Sequence, residues 1–470
     1  MAAKKLREFT KAFSYAFMSN VLSSLIAVVI TLVLPKLISM EQYGFYQLYV
    51  FFTSYVGVSY LGLCDGVYLR IGGQYYEQLD KPLYSTQFRL LGMFEAALYA
   101  VIFVLSLFFS TSPERHYVID CVCVAAVGMC LRWFITFVLQ ATAWIKEYAI
   151  VTISERILYV LAAVPMVLAG YRGFRLLIVL DVAAKYISLG IGVWYCRDMI
   201  RAKTLPLRGV IPEIKENISV GFKFMLAQLS DMLIIGVVRF GVQSCWDIAT
   251  FSRISMTLTV SNLVMTAINA ISIVMYPLLR RMDEGQLPGL YKLMRVSLVG
   301  FAFAVLLFYY PLQRILSVWL PQYAVSFRYA AILFPVCVYQ SKMSMLINTY
   351  YKALRLEKQL MRCNIAALVL SGVLTVLSTV VLHNVTAAII SILICLVFRG
   401  IIGELILSKH IAIEVKKDIV IELCMTVAFI LCNWFFGFAG MLMYAGCYVL
   451  YLFIKKNDIK ETVSFVKSMR

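Results

Sequence analysis

Apolar residues run along this chain in long unbroken stretches, and polar residues gather in short segments between them. A helix needs about 20 apolar residues to cross ~30 Å of hydrocarbon. Fourteen stretches meet that length: 13–38, 44–64, 84–110, 117–140, 148–170, 174–196, 217–240, 247–277, 291–312, 327–350, 363–382, 384–408, 418–436 and 439–455. They do not alternate residue by residue, as the strands of a membrane β-barrel do. The pattern predicts an all-α polytopic membrane protein with about 14 transmembrane helices, embedded in a lipid bilayer. The connections are short, and the longest runs only from Arg197 to Glu216. Gly437 to Gly440 predicts a tight turn between the last two spans.

The polar punctuation repeats. Phe13 to Asn20 leads into one span and Glu41-Gln-Tyr-Gly-Phe-Tyr46 opens the next; Phe222 to Gln228 leads into another and Asp247-Ile-Ala-Thr-Phe251 opens its successor. In both openings an acid is followed by a bulky, a small and an aromatic residue, displaced by some 205–207 positions. Two six-helix lobes in parallel repeat are a transporter architecture. The expected organisation is an N-terminal lobe at 1–205, a C-terminal lobe at 206–410, and two C-terminal helices with a cytoplasmic tail at 411–470.

Composition agrees with the pattern. Charged residues make up 14% and hydrophobic ones 62%, with a mean hydropathy of +0.85, against about 25% charged in a soluble domain. The formal charge of +18 would suit a nucleic-acid partner, but its distribution gives nucleic acid no part. With a cytoplasmic N-terminus, and with residues near span ends counted with the adjoining segments, 30 of the 43 Lys and Arg residues fall on the inner side, 6 on the outer side and 7 deeper within spans. That is the positive-inside rule, and it predicts both termini in the cytoplasm. Lys4, Lys5, Arg7 and Lys11 precede a run too long for a signal peptide, so 13–38 reads as a retained span. The 12 cysteines form no CxxC pair and read as small buried hydrophobes, and the 3 histidines lie far apart, so no metal and no cofactor is expected. There is no phosphate-binding Gly loop, H-E-x-x-H or nucleophile elbow, which predicts a transporter rather than an enzyme.

Charge at the bilayer centre costs about 2.5–3.5 kcal/mol on insertion scales. Arg132, Arg156, Lys185, Arg239, Arg253, Lys342 and Arg399 all fall within predicted spans. Asp181 and Lys185 are spaced to neutralise each other. Arg132, Arg239, Arg253 and Lys342 have no acid near in sequence, and either line a cationic cavity or pair across helices with Asp231, Glu95 or Asp120. Ser255, Thr259, Asn262, Thr266 and Asn269 share one face of the eighth span. Asn20, Ser24 and Thr31 share a face of the first, and Gln228, Asp231 and Arg239 lie along one side of the seventh. Asn20, Ser24, Gln228, Thr259, Asn262 and Asn269 are the expected polar cavity face, helix–helix packing being the other use of such stripes. Asp65 and Asp231 are the acids placed to carry a coupling proton or cation.

Three stretches resemble a known family. Leu34-Pro-Lys-Leu-Ile-Ser-Met-Glu41-Gln-Tyr-Gly44-Phe-Tyr46 is similar to the first loop of the Wzx-type polysaccharide-unit (O-antigen) flippases of the MOP exporter superfamily. Tyr60-Leu-Gly62-Leu-Cys-Asp65-Gly-Val-Tyr-Leu-Arg70 resembles the end of their second helix, and Asn348-Thr-Tyr-Tyr-Lys-Ala-Leu-Arg-Leu-Glu-Lys358 their tenth-helix exit. The resemblance implies alternating access by two lobes around a hydrophilic cavity. It implies a polyprenyl-diphosphate-linked glycan as cargo, the bacterial cytoplasmic (inner) membrane as location, and a polysaccharide polymerase and chain-length regulator as partners. It adds Arg70 to the cationic candidates, since guanidinium forks and ammonium groups suit a diphosphate. Tyr46, Tyr49, Tyr60 and Tyr68 could then stack on sugar, unless they serve packing or an interface belt. Two other readings stay open. A multidrug-type MOP antiporter would carry more cavity acids, and a membrane polysaccharide polymerase would carry a large outer loop with catalytic polar residues.

Overall fold

The computed structural model describes residues 30–109, 112–262, 287–354 and 356–458, together with 26, 28 and 265. They form two compact units, Met1–Leu229 and Ser230–Arg470. The division falls inside one long helix, later in the chain than the boundary at 205/206, and the last two helices belong to the second unit.

Unit one contains α1 (Met40–Ser54), α2 (Leu63–Ile71), α3 (Lys81–Phe109), α4 (Pro113–Ala141), α5 (Ile145–Leu168), α6 (Phe174–Tyr195) and the first part of α7 (Leu207–Cys245). Unit two contains the rest of α7, α8 (248–262), α9 (Leu287–Leu306), α10 (Tyr309–Trp319), α11 (Ser326–Leu333), α12 (Val336–Ala353), α13 (Glu357–Val376), α14 (Val385–His410), α15 (Lys416–Phe435) and α16 (Gly437–Ile454). Among the described residues, ten helices are long and apolar enough to cross a membrane, and two bent pairs raise this to twelve. The two remaining expected spans, 13–38 and 247–277, lie partly outside the described residues. The chain is an all-α, multi-pass membrane protein.

Caps set several helix starts. Ser39, Ser112 and Asn384 accept hydrogen bonds from the backbone N–H groups of Gln42, Arg115 and Ala387, satisfying donors that a helix start leaves open. Pro113 then occupies the first turn of α4, where no N–H is needed. α4 packs on α1, α2, α3, α5 and α6 and is the buried centre of unit one; α14 packs on α11, α12 and α13 in unit two.

Two spans read as straight are broken. The span expected at 44–64 bends by 57° between α1 and α2, because Leu61 (φ 52°) and Gly62 (φ 81°) turn left-handed. The span expected at 327–350 bends by 41° between α11 and α12, at Pro335. Within α12, residues Lys342–Ile347 widen into a π-helical turn, a local distortion common at functional positions. The span expected at 291–312 ends at Leu306, and α10 starts at Tyr309; Pro311 has no N–H to continue the ladder across that joint.

Candidate functional site

Both units bury charged side chains on helices long and apolar enough to cross a membrane. In unit two, α9 supplies Arg295, the π-helical turn of α12 supplies Lys342, α14 supplies Glu404 and α15 supplies Glu422. Arg295 Nε lies 2.5 Å from Glu404 Oε1, and its terminal nitrogens lie 2.5 Å from Glu422 Oε1 and 3.0 Å from Asp418 Oδ2. Lys342 Nζ lies 2.8 Å from Glu404 Oε2 and 2.5 Å from Glu422 Oε2. Tyr291 donates to Glu404 Oε1 at 2.9 Å, and Asp418 also meets Lys455. Two cations thus face two fully buried carboxylates, under a cluster that includes Tyr291, Met343, Ile347 and Leu407. Charges that leave water must be paired and hydrogen-bonded in this way.

Of the two uses open to Lys342, the structure shows pairing across helices: it has no exposed surface and spends its donors on two glutamates. Arg295, which the sequence did not single out, sits within α9 as the centre of the network.

In unit one, Arg132 on α4 lies 2.6 Å from Glu155 Oε2 on α5. Lys185 on α6 pairs with Asp181, as their spacing predicts, and reaches Glu155 at 3.6 Å. The Tyr49 hydroxyl donates to Asp181 at 2.8 Å. Arg132 is therefore also a buried partner of an acid, because Glu155 and not its neighbour Arg156 turns inward. The tyrosines considered for sugar contact serve packing instead. Tyr46 stacks on Tyr159, Tyr60 meets Trp133 edge-on and Tyr68 packs on Phe137. Arg70, at the end of α2, bonds Glu213 and Asn217 at 2.7 Å each and Glu216 at 3.1 Å. It is held by α7.

Two arginines differ from these. Arg156 is exposed at the middle of α5 and has no ion pair among the described residues. Arg253 on α8 is half-buried, its Nε has no hydrogen-bond partner, and no carboxylate pairs with it among the described residues. Arg239 donates to Ser255 Oγ at 3.0 Å and stacks on Phe251. Asp231 is taken by Arg399, which also donates to Asn364 at 2.9 Å. Thr259 donates to the Ser255 carbonyl at 2.7 Å. Gln228 and Asn262 are exposed. Asn20, Ser24, Thr266 and Asn269 lie outside the described residues.

A different arrangement surrounds Asp65 and Glu95. Asp65 sits on the first turn of α2, immediately after the break, and Glu95 at the middle of α3. Both are buried, and neither has a cationic partner among the described residues. Asp65 Oδ2 and Glu95 Oε1 have no hydrogen-bond partner. Ser59 Oγ lies 2.7 Å from Glu95 Oε2, 2.8 Å from the Val56 carbonyl and 3.4 Å from Cys130 Sγ. The sequence offers Glu95 only as a partner for an arginine; a carboxylate at the middle of an apolar span is the signal that marks it.

The fold is shared with known membrane transporters. A solved structure of the lipid II flippase MurJ, in an inward closed conformation, superposes with a TM-score of 0.67 at 13% identity, covering 96% of this chain and 100% of that one. A Vibrio cholerae MATE transporter, VcmN, gives 0.57 at 14% identity over 87% of this chain and 97% of that one. The eukaryotic MATE transporter AtDTX14 gives 0.55 at 14% identity over 90% and 99%. No family model and no curated protein matches the sequence.

Proposed function

We propose that the protein is a flippase that carries polyprenyl-diphosphate-linked oligosaccharide across the bacterial cytoplasmic membrane by alternating access, for O-antigen, capsule or exopolysaccharide synthesis. The observation that carries this reading is Arg156. An arginine facing hydrocarbon at mid-span is costly, so in this reading its guanidinium is met by water or by a bound anion. A guanidinium there, with no ion pair among the described residues, suits a diphosphate. Arg253 supplies further positive charge in unit two. Transport as such is supported by the fold, which a lipid II flippase also adopts. A cationic drug would be repelled by Arg156 and Arg253, which disfavours the multidrug reading.

Arg156→Ala is expected to lower export of lipid-linked units about 10- to 100-fold at normal protein levels, the worth of one charge-assisted hydrogen-bond site. Arg156→Lys should recover part of it. The measurement is surface glycan, and lipid-linked units retained inside, in a deletion strain complemented with each variant. Full export by the alanine variant would sink the reading, and restored drug resistance without surface glycan would establish the multidrug one.

The coupling site in this proposal is Asp65 with Glu95, while Arg399 occupies Asp231. Ser59 has one hydroxyl hydrogen and two acceptors, the Val56 carbonyl and Glu95 Oε2. A proton on Glu95 resolves the conflict: Glu95 donates to Ser59 Oγ, and Ser59 donates to Val56. Deprotonated, Glu95 would be a buried, unpaired charge. Glu95→Gln keeps the donor and loses the exchangeable proton. It should leave folding intact and abolish the part of export that a protonophore removes from the parent. Unchanged, protonophore-sensitive export in both Asp65→Asn and Glu95→Gln would refute the assignment.

A further inference from the structure

Unit two contains a cavity of about 1150 Å³ that borders the ion network at Arg295 and Asp418 and that the transport reading does not use. It lies at one end of the unit, among the first turns of α9 and α15 and the last turns of α14 and α16. Lys292, Lys409, Lys416 and Lys417 line it. All four are exposed, and none has an ion pair among the described residues. Arg295 and Lys455 line it too, but they are held by the acids around Asp418. Asp418 and Asp458 are consumed by those two cations. That leaves Glu414 as the one free acid among the lining residues, against four lysines.

One feature sets this cluster apart from an ordinary solvated lysine face. Lys416 and Lys417 stand on the first turn of α15, where the helix dipole favours anions and disfavours cations. Ala412, in the wall between α14 and α15, is at φ 52° and ends α14 with a left-handed cap, in which the Ile413 N–H bonds the Ser408 carbonyl.

The cavity is also amphiphilic. Leu293, Val296 and Ile421 form apolar parts of its lining. On α15 the face that begins with Lys417 and Ile421 continues at helical spacing through Cys424, Leu431 and Phe435. Cys424 is exposed, and Leu431 and Phe435 keep 50% and 68% of their surface. A cationic hollow therefore opens at the end of an apolar stripe about three turns long. A basic pocket between transmembrane helices, at the end rich in Lys and Arg, has the chemistry that holds an anionic lipid headgroup.

We propose that this cavity binds the phosphorylated headgroup of an anionic lipid of the surrounding bilayer, with its acyl chains along the exposed face of α15. The four lysines supply the charge, and the apolar lining and stripe exclude a purely soluble anion as the fitting ligand.

The test is native mass spectrometry of the full chain in detergent, titrated with phosphatidylglycerol, with phosphatidylcholine of the same acyl chains, and with inorganic phosphate. The parent should retain phosphatidylglycerol in preference to phosphatidylcholine, and inorganic phosphate up to millimolar concentration should not displace it. Each lysine is worth roughly a fivefold change in affinity. Lys416→Gln with Lys417→Gln should therefore weaken phosphatidylglycerol binding about 25-fold, and the corresponding double Arg variant should restore it. Lys292→Gln, on a different helix, should weaken it about fivefold and covers the case in which the double variant does not fold. Equal retention of the two lipids, affinity unchanged in the glutamine variants, or displacement by inorganic phosphate would each overturn the proposal.

Discussion

Lys342→Met is expected to destabilise the protein by about 3–5 kcal/mol, the cost of removing one partner from a buried ion network. The side chain has no exposed surface and bridges Glu404 and Glu422 at 2.8 and 2.5 Å. Methionine fills similar volume, so little of the loss comes from a cavity. What remains is two buried carboxylates facing one guanidinium, with little solvent contact to screen them. The double variant Lys342→Met with Glu422→Gln returns the core to one cation and one anion, Arg295 and Glu404. It should recover more than half of the loss, since removing a whole pair costs far less than breaking one. Thermal and denaturant unfolding of the purified proteins in detergent measure both effects. A single variant within about 0.5 kcal/mol of the parent, inside ordinary surface-substitution scatter, would show that Lys342 does not hold the network together.

The reason this network escapes a reading of the sequence is separation. Lys342 meets Glu404 across 62 positions and Glu422 across 80, and Arg295 meets Glu404 across 109. Local spacing identifies only pairs on one helix, and the one it names, Asp181 with Lys185, is present. The same limit hid the pairing of Arg132 with Glu155 and of Asp231 with Arg399. Helix existence was legible because twenty apolar residues in a row have few other destinations, and the structure places a helix over each fully described span; ends were less so, since α7 starts at Leu207 where 217 was expected and α9 ends at Leu306 where 312 was expected. Breaks were not legible. Hydropathy averages over Leu61 and Gly62, although a left-handed pair divides the helix there, and no periodicity announces the π-helical turn that begins at Lys342. Exposure was equally invisible. Arg156 and its neighbour Glu155 look alike in a hydropathy plot, yet one turns outward and the other inward because adjacent helical positions differ by about 100°.

Gly66→Ala and Gly221→Ala are expected to separate α2 from α7, each at about 3 kcal/mol or more, the upper part of the overpacking range. A Cβ on Gly66 would stand 1.9 Å from the Asn217 carbonyl oxygen, and one on Gly221 would stand 2.0 Å from the Gly62 carbonyl oxygen. The obstruction is backbone on both sides, so no side chain can rotate to make room, and a helix must move. The contact matters beyond stability. α2 carries Asp65 at one end and Arg70 at the other, and Arg70 bonds Glu213 and Asn217 on α7 within one to two turns of the close approach. A shift of α2 would stretch those bonds and displace Asp65 from its place below the break. Loss of export and a lowered unfolding temperature should therefore appear together in both variants. Gly190→Ala on α6 is the matched control, because its Cβ meets nothing within 4 Å; there the substitution should be neutral or stabilise by up to about 1 kcal/mol through helix propensity. If Gly66→Ala exports and unfolds as the control does, α2 and α7 do not pack backbone to backbone, and the placement of Asp65 argued from that contact falls with it.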